Sequence, residues 1–421
     1  MPKERIITGI DIGSTKISTT VASVSENRVS VIGVSGNVPS KGINKGDVKD
    51  INGSVEAISQ SLERAERMAG VSVSSAFVTI NGSHIENLNS HGVVAVPPNS
   101  NEISPNDVGR VIEAAQAVSL PSTREIIHVI PRDFTVNDQG GIKDPVGMSG
   151  VRLEVETNII HGSTTAIRNI EKSVTQVGVD IDEIVYTGIA SAEAGLTDTE
   201  KELGTLLLDI GGGTTSIIAY LEGSPIHSAV LPIGGRLITS DLAVGLRAKM
   251  EDAEKIKIRL STEYMATPPM SAYADTQKKA EDFDVSEYDL EDKLIPKNLL
   301  YRIVDARLEE IFSLVALEIT KANLQGKLPA GVVITGGAAL TAGCERICKK
   351  VLRGPVRVGT PKGVTGLIDE IQGPMSSAGV GAILYGVNLF RSGTLLSLDD
   401  NRGKMTLNFN KLIDKFKSFL P

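Results

Sequence analysis

The sequence predicts an α/β fold built twice, two lobes facing each other across a cleft, and three observations lead there. The stretches "IITGIDIGSTKISTTVASV" and "GTLLLDIGGGTTSIIAYLEG" share one design. Each is an apolar run ending in Asp-Ile-Gly, then a turn of small residues, then a second run rich in β-branched residues. Both read as β-hairpins, with Gly13 in the first turn and Gly211, Gly212 and Gly213 in the second. Asp11 and Asp209 hold the same place in the two copies, which points to a duplication with a pseudo-symmetric cleft. A third stretch, "GVVITGGAALTAGCERICKKVL", reads as a buried strand, a turn at Gly336 and Gly337, and a helix. At 421 residues, 41% hydrophobic and 22% charged, the chain is long enough for two or more domains with their own cores.

The elements follow in chain order. The N-terminus, "MPKERIITGID", passes from charge directly into a strand-like run, without the apolar stretch or cleavage site of a secretory signal. No stretch approaches the ~20 consecutive apolar residues of a spanning helix, so a soluble cytoplasmic body is expected. In the first hairpin, the backbone N–H groups of a glycine turn converge on one point, a nest suited to phosphate oxygens. Ser14 and Thr15 add hydroxyl donors and Lys16 a positive charge; Thr214 and Thr215 do the same in the second hairpin. Asp11 and Asp209 suit Mg²⁺, held through its retained waters. Taken singly, each hairpin is also what an ordinary turn with a capping aspartate looks like; the pairing favours the phosphate reading. "MEDAEKIKIRLSTEY" reads as a helix that places Glu254, Lys257 and Ser261 along one face, although alone it would pass for a solvated helix with an ion pair. Residues 262–298 combine a Pro-Pro pair with an acidic run and read as a loop or partly ordered insertion. The strand-to-helix glycine turn at 336–337 is a common nucleotide-contacting geometry.

The chain ends on "TLNFNKLIDKFKSFLP". Phe409, Leu412, Ile413, Phe416, Phe419 and Leu420 recur at spacings of 3, 1, 3, 3 and 1, one stripe of a helix, flanked or opposed by Lys411, Lys415 and Lys417. From Lys404 onward four lysines stand against one aspartate, a +3 tail on an acidic body. A core helix could carry the same stripe, but the terminal position, the linker-like "SGTLLSLDDNRGK" and the clustered lysines favour an interfacial membrane helix. Partial burial of the apolar side chains, at most roughly 1.5–3 kcal/mol each, and about 1 kcal/mol per lysine near anionic lipid work against the ordering of the backbone. One tail is therefore a weak anchor, and many on a filament a strong one.

Composition excludes other classes. The 43 basic and 51 acidic residues leave a net charge of −8, which argues against nucleic acid as the main partner. The two cysteines, Cys344 and Cys348, imply no disulfide framework, and scattered histidines leave them without companions for zinc. There is no GxxxxGK[ST] and no GxGxxG opening a helix after a strand, so a P-loop NTPase or Rossmann dehydrogenase is not expected.

The two Asp-Ile-Gly hairpins, "TGGAAL" and "AEKIKIRLS" resemble the actin, Hsp70 and sugar-kinase superfamily. The resemblance implies two α/β lobes closing on ATP and Mg²⁺, with Gly336, Gly337 and Ala338 as the adenosine turn and Glu254, Lys257 and Ser261 at ribose and adenine. Within it, "REIIHVIPRDFTVNDQGGIKDPVGMSGVRLEVETNIIHG", "VYTGIASAEAGLTDTEKELGTLLLDIGGGTTS" and "LPIGGRLITSDLA" are similar to the bacterial division family FtsA. That family's actin-like fold carries an extra small domain on lobe one in place of the usual actin subdomain. The implied division is 1–83, 162–196 and 372–392 as subdomain 1A, 84–161 as 1C, 197–232 and 308–371 as 2A, and 233–307 as 2B. A linker at 393–404 and the membrane helix at 405–421 complete it. The implied partners are the tail of the tubulin-like FtsZ at 2B, further copies in a filament, anionic membrane, and downstream division proteins at 1C. The implied place is the cytoplasmic face of the inner membrane at the division site.

The sequence departs from the superfamily at "TGIASAEAG", where Gly188 stands in place of a glutamate that can orient the attacking water and Glu193 falls five residues later. Losing such a base removes roughly 10²–10⁴-fold, so at most slow ATP hydrolysis is expected. The same fold admits rivals. A sugar kinase predicts a substrate aspartate in a deep cleft and no amphipathic tail. An Hsp70-like chaperone needs a long C-terminal substrate domain. A pilus-assembly adaptor shares lobes and extra domain, but "GMSGVRL" and the lysine-rich tail favour division.

Overall fold

The computed structural model describes residues 4–25, 28–97, 102–266 and 282–391. The expected linker and membrane helix, 393–421, and the middle of the acidic segment, 267–281, lie outside the described residues.

The duplication is a matter of strand order. In lobe one the strands Arg5–Ile12, Lys16–Ser25 and Arg28–Val34 form an antiparallel meander. Ser75–Ile80 and then Asp180–Tyr186 add in parallel on the free side of the first strand. In lobe two Thr205–Ile210, Thr215–Leu221 and Ser224–Leu231 repeat the meander, and Gly331–Thr335 and Val356–Val358 add in parallel at the same side. The central strands are buried along most of their length, so they read as continuous apolar runs rather than alternating ones. Parallel neighbours need a crossover, and helices supply it. The helix Ile51–Ala69 is stopped at both ends by local chemistry: Asp50 accepts from the Asn52 N–H, and Gly70 closes the helix in the left-handed conformation at φ 70°. Its Ala57, Ile58, Leu62 and Ala65 are buried.

Between the fourth and fifth strands of lobe one the chain builds a separate layer. Glu86–Ala95, Arg124–Val136, Gln139–Ile142 and Arg152–Ser163 form a four-stranded antiparallel sheet. The helix Pro105–Gln116, opened by a Ser104–Asp107 capping box, packs on it. Val108, Val111, Ile112, Phe134, Leu153 and Val155 give this unit its own core. It also reaches lobe two: the Ser228 N–H donates to Asn87 Oδ1 at 3.1 Å, and Lys143 Nζ to the Glu222 carbonyl at 2.6 Å.

Of the two readings of the acidic segment, loop or partly ordered insertion, its described ends fit the second. The helix Met250–Ala266 runs into it, and Asp282–Asp284 pairs with Leu294–Pro296 before the helix Lys297–Lys321 begins. Phe283 and Ile295, paired in register and buried, hold this small hairpin. Cys344 and Cys348 lie in the lobe-two core; burial pushes both thiols up, Cys348 to about 12, so they behave as small apolar residues.

One ion pair of lobe two titrates, and its arginine also reaches the end of the helix that leaves lobe one. The Arg357 guanidinium donates to both carboxylate oxygens of Glu200, each at 2.6 Å, and to the Gly195 carbonyl at 2.7 Å. Those bonds hold the Glu200 carboxyl at about 2, below its ordinary 4.5. A depressed carboxylate stabilises above its unfolded value and loses that contribution as pH falls through its folded value. Glu200→Gln is expected to lose about 1 kcal/mol at pH 7, less than a buried charged pair because the site is partly exposed. Urea unfolding should show the gap to the parent chain closing between pH 4.5 and 2.

Candidate functional site

The two hairpin turns close in the same way. The Gly13 N–H donates to the Lys16 carbonyl at 3.0 Å, and the Gly211 N–H to the Thr214 carbonyl at 2.9 Å. Asp11 pairs with Ser18 across its hairpin and Asp209 with Ser216 across the other, at equivalent positions. The turns meet tip to tip. A Cβ on Gly212 would lie 2.2 Å from Thr15 Cγ2, and one on Gly213 would lie 2.7 Å from Ser14 Oγ. Only backbone fits there. Neighbours steady the tips: Asn81 Nδ2 donates to Thr214 Oγ1 at 3.0 Å, and the Gly46 N–H to Ser14 Oγ at 3.0 Å. The Thr215 hydroxyl is buried and donates to the Ile233 carbonyl at 2.9 Å, so it serves the turn's own structure.

Behind the tips lie Asp11, Asp209 and Lys16, all largely buried. Burial pushes the Asp11 carboxyl up, while Lys16 and the bond from Thr79 pull it down. Burial likewise pushes Asp209 to about 6, with the bond from Ser191 and the charge of Lys16 opposing and Asp11 adding to it. Lys16 is pushed down by burial and held charged by both aspartates; its Nζ donates to the Met375 carbonyl at 2.5 Å. Two carboxylates and one ammonium leave one negative charge in a low-dielectric place, a set that favours a cation.

The third turn abuts the second. Gly336 has φ 83°, a conformation natural to glycine, and a Cβ on it would fall 2.4 Å from Asp209 Oδ1 and 2.6 Å from the Ile210 carbonyl. Gly337 is open on its Cβ side, with Met375 Cβ at 4.0 Å the nearest atom. The N–H groups of Gly235 and Arg236 donate to the carbonyls of Gly211 and Gly212 at 2.9 and 2.8 Å, and a Cβ on Gly235 would meet Ala338 Cβ at 2.9 Å. Lys257 Nζ donates to Glu254 Oε2 at 2.7 Å and to Thr239 Oγ1 at 2.9 Å. Ser261 Oγ donates to the Lys257 carbonyl and accepts the Ala342 N–H at 3.0 Å, pinning that helix to the stretch after the third turn. The residues singled out in the described chain thus form one continuous strip from Gly13 to Ser261. The open side of Gly337, the glycine tips and the acidic pair, only half compensated by Lys16, fit a magnesium nucleotide.

Thr79, Asn81, Ser191, Thr239 and the Pro374–Met375 carbonyls belong to the same strip and carried no sequence signal, because each arrives from a distant element. At Gly188 a Cβ would lie 2.5 Å from the Tyr186 ring. That ring cannot yield, since its hydroxyl shares its one proton between the carbonyls of Ile217 and Ala229, both at 3.0 Å, and it is fully buried. Glu193 is held by Lys201 at 2.8 Å and Asn388 at 3.0 Å.

A family model described as "SHS2 domain inserted in FTSA" matches residues 82–161, the separate four-stranded layer, and one described as "Cell division protein FtsA" matches 206–381. The cell division protein FtsA of Pseudomonas aeruginosa is 38% identical over 395 residues, covering 94% of this chain and 92% of that one. Its counterpart in Escherichia coli K12 is 34% identical over 391 residues, covering 91% and 90%. Among solved structures, the PilM-PilN type IV pilus biogenesis complex matches with a TM-score of 0.61 at 15% identity, covering 90% of this chain and 98% of that one. MreB5 of Spiroplasma citri bound to ADP matches at 0.53 and 13%, covering 94% and 99%. At those identities the structures speak for the fold alone, an actin-like one.

Proposed function

Since this chain belongs to the FtsA family of cell division proteins, we propose that it is the ATP-dependent membrane tether of a division ring. In this reading the turns Gly13–Lys16 and Gly211–Thr214 hold the phosphates of ATP by their backbone N–H groups, and Lys16 turns toward them. Asp11 and Asp209 hold Mg²⁺ through water, and the strip from Glu254 to Ser261, with Gly336, Gly337 and Ala338, takes ribose and adenine. Mg²⁺ supplies the charge that neutralises the phosphates. The carrying observation is the convergence of three glycine turns on one buried acidic pair. Tyr186 occupies the space that a carboxylate at 188 would need, which supports nucleotide binding with at most slow hydrolysis.

The lobes polymerise as actin-like proteins do, and each added copy brings one more tail to the membrane. The subdomain spanning 233–307 receives the FtsZ tail; a surface groove there is lined by Arg259, Asp284, Ser286 and Glu287. The layer spanning 84–161 recruits later division proteins. No helix among the described residues is long and apolar enough to cross a membrane; in this reading attachment is from one side, through residues 405–421.

Co-sedimentation with anionic vesicles tests the tether. The full chain is expected to pellet, several-fold more with Mg·ATP, and a chain ending at Gly403 to stay in the supernatant. If the two chains pellet equally, or neither does, the tail is not the anchor.

A further inference from the structure

The duplicated lobes treat their aspartates differently. In lobe one the register that pairs Ile10 with Val78 brings Thr79 beside Asp11. Thr79 Oγ1 accepts the Ile12 N–H at 3.1 Å, so its own proton goes to Asp11 Oδ1 at 2.9 Å. One lobe-one strand thus orients its neighbour's carboxylate. In lobe two the equivalent residue is Thr335, paired with Asp209. Its hydroxyl is engaged elsewhere, with the carbonyls of Gly359 and Pro374 at 3.0 and 3.1 Å and with Ser377 Oγ at 2.7 Å. Asp209 Oδ2 instead receives the hydroxyl of Ser191.

Ser191 lies on the helix Thr187–Gly195, which carries the chain from lobe one into lobe two. Eight of its nine residues are buried, as a helix enclosed on all sides must be. It packs along the helix Ser377–Arg391 so closely that a Cβ on Gly381 would lie 1.7 Å from the Ala190 carbonyl oxygen. Its position is therefore set by packing within lobe one, and Ser191 itself, fully buried, reaches from there to a strand of lobe two.

We infer that Ser191 is the positioning residue for Asp209, tying the orientation of lobe two's metal-facing carboxylate to a helix pair of lobe one. The inference rests on the nucleotide reading above. It gives the cleft one aspartate oriented within its own lobe and one oriented by the crossover, so movement of one lobe against the other re-aims Asp209 but not Asp11.

The test is equilibrium binding of a fluorescent ATP analogue to the full chain, in Mg²⁺ and in EDTA. Ser191→Ala is expected to weaken binding about tenfold in Mg²⁺, the size of one hydrogen bond to a charged group, and less than twofold in EDTA. In an Asp209→Asn background the same change should have no further effect, because Ser191 acts through Asp209. If Ser191→Ala does not fold, Ser191→Cys keeps the volume with a weaker donor and should show the same Mg²⁺-dependent loss. An equal loss in Mg²⁺ and EDTA, or an undiminished loss on top of Asp209→Asn, assigns Ser191 a packing role only and overturns the inference alone. Failure of the parent chain to bind the analogue overturns the nucleotide reading, and this inference with it.

Discussion

Gly381→Ala is expected to destabilise the protein by more than about 3 kcal/mol, while Gly379→Ala, two residues away in the same helix, is expected to be neutral or stabilising. Local propensity predicts a gain at both, since alanine is favoured over glycine in a helix interior by about 1 kcal/mol. Tertiary contact reverses the sign at one of them. A Cβ at 381 would lie 1.7 Å from the Ala190 carbonyl oxygen and 2.4 Å from its carbon, both backbone atoms of an enclosed helix that has no side chain to move aside. The two helices would have to separate, and overpacking on that scale costs about 1–3 kcal/mol and more where backbone must shift. At 379 the nearest atom is Thr20 Oγ1 at 3.4 Å, an ordinary contact. Thermal unfolding of the two variants beside the parent decides the matter. Equal melting temperatures for both would mean that the helix pair is not the rigid element on which the Asp209 geometry depends.

Lys16→Ala is expected to lower affinity for Mg·ATP by about 100-fold or more. Lys16 is the cation whose charge acts on both Asp11 and Asp209. Removing one partner from a buried charged group leaves the others uncompensated, at a cost of about 3–5 kcal/mol. The aspartates would then relieve their repulsion by taking up a proton, and a protonated carboxyl is a poor holder of the waters of Mg²⁺. The Met375 carbonyl, which accepts from Lys16, would lose its partner in the first hairpin, loosening the join between that turn and the helix Ser377–Arg391. Circular dichroism separates lost binding from lost fold. An affinity within threefold of the parent would mean that Lys16 only neutralises the apo cleft.

Much of this site was legible because its chemistry is local. The Asp-Ile-Gly turns close on themselves through bonds three residues long, Gly13 to Lys16 and Gly211 to Thr214. Glu254, Lys257 and Ser261 are neighbours by helical spacing alone, and the structure joins them as that spacing requires. The charges and prolines of the acidic segment read as a loop or partly ordered insertion, while its short strands depend on the buried pair Phe283 and Ile295 across a hairpin. Three-residue strands are too brief for alternation to register.

The sequence by itself determined that two matching hairpins would carry the two aspartates, that glycines would bare the backbone at their tips, and which family this is. These follow from turn geometry and side-chain spacing, interactions that span a few residues. The tertiary structure alone decided that Thr79, 68 residues from Asp11, would orient one carboxylate and Ser191 the other. It also decided that the Tyr186 ring, fixed through its hydroxyl by the distant Ile217 and Ala229 carbonyls, would close the space beside Gly188. Those contacts come from parallel strand pairing and from a lobe-one helix reaching lobe two, where partners distant in the chain are brought together by burial, which no local pattern of residues encodes.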